Sequence, residues 1–92
     1  MNTFQRELLG LMSIDYESVE TIREELVEAL GYIPSDEETA ANIQWLVDRG
    51  LLATYAYSSE KQNFELVKYE HDDLPTEAWC LATVEGRAVE SE

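Results

Sequence analysis

Few side chains in this sequence have reactive potential. There is one histidine, His71, and one cysteine, Cys80. Their spacing matches no recognised nucleophile–base pair. Glu70-His71-Asp72-Asp73 carries metal-capable groups. Neighbours in a loop rarely all turn to one centre, however, and no second cluster completes a ligand set. The segment reads as a solvated loop. Cys80 shares strand parity with Ala78 and Ala82, which predicts a buried structural thiol rather than a nucleophile. No glycine-rich phosphate loop and no nucleophile elbow is present. Carboxylates are so abundant that no pair of them is diagnostic. The expectation is a non-enzymatic protein with no catalytic residues, no metal and no cofactor.

Charge says more than these motifs do. Twenty acidic residues face six basic ones, for a formal net of −14. Such a field repels phosphate and anionic lipid and favours cationic or neutral partners. The plainer consequence of the same charge is solubility. The 92 residues suit a single domain, 1–92. A chain of this size buries roughly 60–68% of its unfolded surface, enough for a core without staples. One cysteine precludes an internal disulfide and suits a reducing compartment. The start, MNTFQRELLGLMSID, has no long apolar stretch and does not read as a signal peptide. No run approaches the ~20 apolar residues of a membrane helix. A soluble, cytoplasmic acidic protein without membrane contact is expected.

The elements that would position any site follow from periodicity. Phe4, Leu8, Leu11 and Met12 make one stripe of a first helix over Thr3–Met12, with Thr3 as its cap. Residues 13–16 connect, with room for a short strand. A second helix is predicted from about Glu17 to Leu30, its inner face formed by Val19, Ile22, Leu26 and Leu30. Gly31 supplies a left-handed end, and Pro34 blocks continuation. Ser35-Asp36-Glu37-Glu38 predicts a reciprocal capping box for a third helix. Ala40, Ile43, Leu46 and Val47 then face the core, and Gly50 ends the helix. Residues 51–57 and 64–69 flank the polar segment 58–63 and predict a β-hairpin. Ala78–Ala82 reads as a third strand, and Thr83–Glu90 as a short helix capped by Thr83.

Three helices with a tight second connection, then a hairpin, is the winged-helix order. Ile43-Gln44-Trp45-Leu46-Val47-Asp48-Arg49-Gly50-Leu51-Leu52 resembles the segment of winged-helix (winged helix-turn-helix) proteins that leaves the third helix and enters the wing. Trp79-Cys80-Leu81-Ala82-Thr83-Val84-Glu85-Gly86-Arg87 is similar to the strand-then-helix ending of bacterial regulators of that type. Ala82 is an insertion relative to that pattern. The likeness spans about Phe4 to Val89. It implies an α+β winged helix: a three-helix core, a β-hairpin wing, and a short C-terminal strand and helix.

The resemblance also implies a DNA-facing third helix, as in a transcriptional regulator. Asn42 would read adenine there, Arg49 would contact a base or phosphate, and the wing would offer Lys61, with help from Lys68. Against this, the helix carries Asp36, Glu37, Glu38 and Asp48. Nucleic-acid binders of this kind make roughly 6–10 phosphate contacts, while the whole chain has six basic residues. Protein–protein interaction therefore ranks first, with a partner drawn by the acidic faces, or with a second copy in a homodimer. Trp45 and Trp79 are the expected interface residues, since tryptophan is enriched at binding hot spots. A nucleic-acid partner ranks second. An acidic mimic of DNA ranks third.

Overall fold

The computed structural model describes residues 1–69, 75 and 78–90. Its elements are α1 (Thr3–Leu11), β1 (Glu17–Ser18), α2 (Val19–Leu30), α3 (Asp36–Asp48), β2 (Leu52–Ser58), β3 (Asn63–Leu66), β4 (Trp79–Ala82) and α4 (Val84–Glu90). The architecture is α+β. Among the described residues there are four helices and one four-stranded antiparallel sheet, in the order β1-β4-β2-β3. The segment Glu70-His71-Asp72-Asp73 lies outside the described residues.

Helix α1 starts one residue before the expected cap. Asn2 is the N-cap: its side chain accepts from the Gln5 N–H at 2.8 Å, and the Gln5 side chain accepts from the Asn2 N–H at 3.0 Å. Thr3 is the first helical residue instead. An amide two bonds from its own backbone closes this reciprocal box as well as a hydroxyl does. Phe4, Leu8, Leu9 and Met12 are buried, and Leu11, expected on the inner stripe, is half-buried. The stripe turns toward Leu9 because α4 packs on this side of α1.

Helix α2 begins at Val19 rather than at Glu17. Glu17 and Ser18 form β1, pairing with Cys80 and Trp79, and Ser18 caps the helix by accepting from the Thr21 N–H at 3.2 Å. Gly31 ends it at φ 79°, its N–H donating to the Val27 carbonyl at 2.8 Å. Ser35 caps α3, accepting from the Glu38 N–H at 3.0 Å. Only this half of the expected box forms. The Glu38 carboxylate turns away to accept from the Tyr32 hydroxyl at 2.7 Å. On the inner face of α3, Thr39, Ile43 and Leu46 are buried, whereas Ala40 and Val47 are half-buried. Thr39 can be buried because its hydroxyl donates back to the Ser35 carbonyl at 2.8 Å.

The three long helices meet over one face of the sheet. Ile22 and Leu26 of α2, Ile43 and Leu46 of α3, and the α1 stripe pack with Leu52, Cys80 and Ala82 in one apolar cluster. Helix α4 closes one side. The Thr83 hydroxyl accepts from the Gly86 N–H at 3.0 Å and donates to the Gly50 carbonyl at 2.6 Å. One hydroxyl thus caps α4 and ties it to the exit of α3. No helix of the described residues is long and apolar enough to cross a membrane.

Candidate functional site

Alternation along the strands decides what each face of the sheet carries. In β2, Leu52 and Thr54 are buried against the helices, so Ala53, Tyr55 and Tyr57 point outward. The register extends that outer face across the neighbours. Tyr55 lies opposite both Trp79 and Leu66, Tyr57 opposite Phe64, Ala53 opposite Leu81, and Ser18 opposite Trp79. None of these outward positions carries a charge.

Tyr16, just before β1, reaches across the same face. Its ring stacks on Phe64 at a centroid distance of 3.9 Å and meets Tyr55 edge-on at 5.0 Å. Phe64 in turn meets Tyr57 and Trp79 at T-shaped geometry, each at 5.2 Å. The T-shaped pairs suit the ring quadrupole and add about 0.5–1.5 kcal/mol each beyond burial. Five rings from four separate chain segments therefore form one connected layer on the side of the sheet away from the helices. Their mutual contact leaves Tyr16, Tyr55, Phe64 and Trp79 half-buried, while Tyr57 is 50% exposed and Leu66 72% exposed.

At β1, Glu17 lies opposite Cys80 and so turns toward the helix side of the sheet, away from this layer. Glu17 is pushed above the ordinary carboxylate range, first by loss of water around it and then by the nearby charges of Glu25 and Asp15. On the opposite edge, Lys61 at the hairpin tip pairs with Glu65 at 2.8 Å. That partner pushes its ammonium above the usual lysine range.

Of the sequence-predicted interface residues, Trp79 belongs to the aromatic layer and Trp45 does not. Trp45 is half-buried against the helical core, and the Arg49 guanidinium covers its ring at 3.5 Å from the centroid. The residues weighed for DNA are each engaged within the protein. Asn42 accepts from the Gln5 side-chain amide at 3.0 Å and donates to the Glu38 carbonyl at 2.8 Å. Arg49 donates to the Trp45 carbonyl at 3.1 Å. Lys61 stands about the sheet's far edge from the centre of the layer, held by Glu65. Asn42, Arg49 and Lys61 do not share one contact network.

Sequence reasoning missed Tyr16, Tyr55, Tyr57 and Phe64. Tyr55 and Tyr57 were legible as neighbours on one face, because their spacing of two is the strand period. The stack of Tyr16 on Phe64 joins residues from distant segments and needed the sheet order. Cys80 is fully buried, and burial pushes its thiol up to about 12. Comparison with known protein families, with curated proteins and with solved structures finds no match to this chain.

Proposed function

We propose that this chain is a non-enzymatic winged-helix domain that works by binding another protein through the aromatic outer face of its sheet. One observation carries the proposal: a chain of net charge −14 presents an uncharged, ring-covered sheet face. An antiparallel sheet with helices on one side ordinarily turns polar side chains to water on the other. Here the outward positions of β2, β3 and β4 carry Tyr55, Tyr57, Phe64, Leu66 and Trp79. Aromatic side chains supply much of the contact energy at protein interfaces. A contiguous exposed apolar patch is a common mark of such a surface.

The winged-helix part rests on element order. A short strand follows α1, two helices follow it, and a hairpin comes next, with β4 pairing β1. Strand β3 adds a fourth strand beyond β2, a departure from a simple two-stranded wing. The proposed setting is cytoplasmic, in keeping with a free buried thiol.

The test uses the full chain and the double variant Tyr57→Ser with Leu66→Ser, both changes at exposed positions. Each is used to capture partners from extract of the source cell, is run on a sizing column with light scattering, and is titrated with random duplex DNA at low salt. A partner protein, or a second copy, bound by the parent and lost by the variant is the expected result. Tight DNA binding that weakens steeply with salt and survives in the variant would overturn the proposal.

A further inference from the structure

A second surface, built from residues the sheet face does not use, lies along α2. Glu20, Arg23, Glu24 and Val27 fall at helical spacings of three and four, so they share one side of that helix. With Ile33 from the following turn they line an open groove of about 420 Å³. The far wall of the groove is fixed in place. Arg23 donates through Nε and Nη2 to the Pro34 carbonyl at 3.0 and 2.8 Å and pairs with Asp36 at 2.6 Å. Gly31 and Tyr32 are tied to Val27 and Glu38. The turn is therefore rigidly held, and yet it points Ile33 into solvent, 71% exposed. Burial of this isoleucine contributes little to the fold, so its position is not explained by the core.

The charges in the groove are one-sided. Asp36 offsets Arg23, the one cation among its lining residues. Glu20 and Glu24 remain, four residues apart, with no cation in ion-pair distance among the described residues. Like charges at that spacing repel in a helix. A bound cation would turn that repulsion into attraction. A second copy of this acidic chain, or a nucleic acid, would add to it.

We infer that this groove docks a basic protein segment, seating one of its apolar side chains on Val27 and Ile33 and placing lysine or arginine against Glu20 and Glu24. The occupant is set by charge complementarity and by the apolar floor together. Neither a polyamine nor a neutral apolar peptide would use both.

The probe is a fluorescein-labelled amphipathic peptide with two arginines one helical turn apart flanking a leucine. Binding to the full chain is followed by fluorescence anisotropy, and the site is mapped from amide chemical shifts. Ile33→Ser alone, and Glu20→Gln with Glu24→Gln, should each weaken binding by about tenfold, equivalent to about 1.4 kcal/mol. Glu7→Gln with Glu85→Gln removes the same charge from exposed sites elsewhere and should leave affinity within about twofold, as expected where only bulk, screened charge changes. Shifts should cluster on α2 and residues 31–34. The inference fails if the Glu7/Glu85 control weakens binding as much as the groove pair. It fails equally if Ile33→Ser has no effect, or if the shifts gather on Tyr57, Phe64 and Leu66. That last pattern would favour the sheet face and leave the proposed function intact.

Discussion

The Arg49 guanidinium carbon sits over the ring of Trp45, 3.5 Å from its centroid, and the same group donates to the carbonyl of that residue. The contact closes the last turn of α3, where a cation also offsets the negative end of the helix. It shields the outer side of a tryptophan whose inner side packs on the core. Arg49→Ala should therefore lower stability by about 0.5–1 kcal/mol, the scale of an exposed cation–π contact. In a Trp79→Phe background, the emission of Trp45 should shift to the red. Urea unfolding and fluorescence spectra check both.

Asn42 gives a sharper test of what α3 is for. Its two polar ends are bonded to Gln5 and Glu38, and Gln5 is only 7% exposed. Asn42→Ala leaves the Gln5 amide without that acceptor. A buried donor stripped of its partner costs about 1–3 kcal/mol. The melting temperature should fall accordingly, and the loss should be smaller in Gln5→Ala with Asn42→Ala than the two single losses added. A residue serving only to read DNA would show no such coupling.

Two glycines should respond to alanine with opposite signs. At Gly86 an added methyl would overlap the Leu51 backbone carbonyl oxygen and crowd Leu9 Cδ1 at 3.2 Å. Backbone cannot swing aside, so Gly86→Ala should destabilise by about 2 kcal/mol or more, through overpacking. That outweighs the helix propensity gained. At Gly10 the nearest atom is Glu90 Oε1, at an ordinary 3.7 Å. Gly10→Ala should stabilise by about 0.5–1 kcal/mol. Chemical denaturation of the two variants decides the pair.

Burial raises the Cys80 thiol from 9.0 to about 12. The folded protein therefore holds this proton in a range where the unfolded chain releases it. Stability should be unaffected by this group below pH 9 and should fall between pH 9 and about 12. Cys80→Ala should make the stability loss over that window less steep. At pH 8 the native thiol should resist a thiol reagent and react only as fast as the protein opens. Labelling with and without urea provides the measurement.

The helices were readable because each one announces itself locally. The apolar spacing of Ile22 and Leu26, Gly31 at the helix end and the hydroxyl of Ser35 all act within a turn or two of chain. Errors fell where two local signals competed. Asn2 with Gln5 satisfies the same capping pattern as Ser35 with Glu38, yet Thr3 drew the assignment. Ser18 starts α2, and Glu17 belongs to a strand that exists only because β4 runs beside it. The Ser35 box was half right because Tyr32, outside the motif, offers Glu38 a better placed hydroxyl. The site was less legible than the fold. Trp79 lies on the outer face, and its four aromatic neighbours come from three other segments. Which strands lie side by side is a non-local property, and the order β1-β4-β2-β3 brings those segments together.

Both margins of the sheet are blunt. Strand β1 has two residues, and β3 has four. The Phe64 N–H is taken by the Asn63 side chain at 2.9 Å, beside the ion pair of Lys61 and Glu65. Short, charged margins resist the addition of a foreign strand. A protein with this many outward rings would otherwise invite filament growth by edge-to-edge joining. Under the proposed function the rings and the margins divide two tasks, contact by the flat of the sheet and refusal at its rim, so that holding a partner would not become self-joining without end.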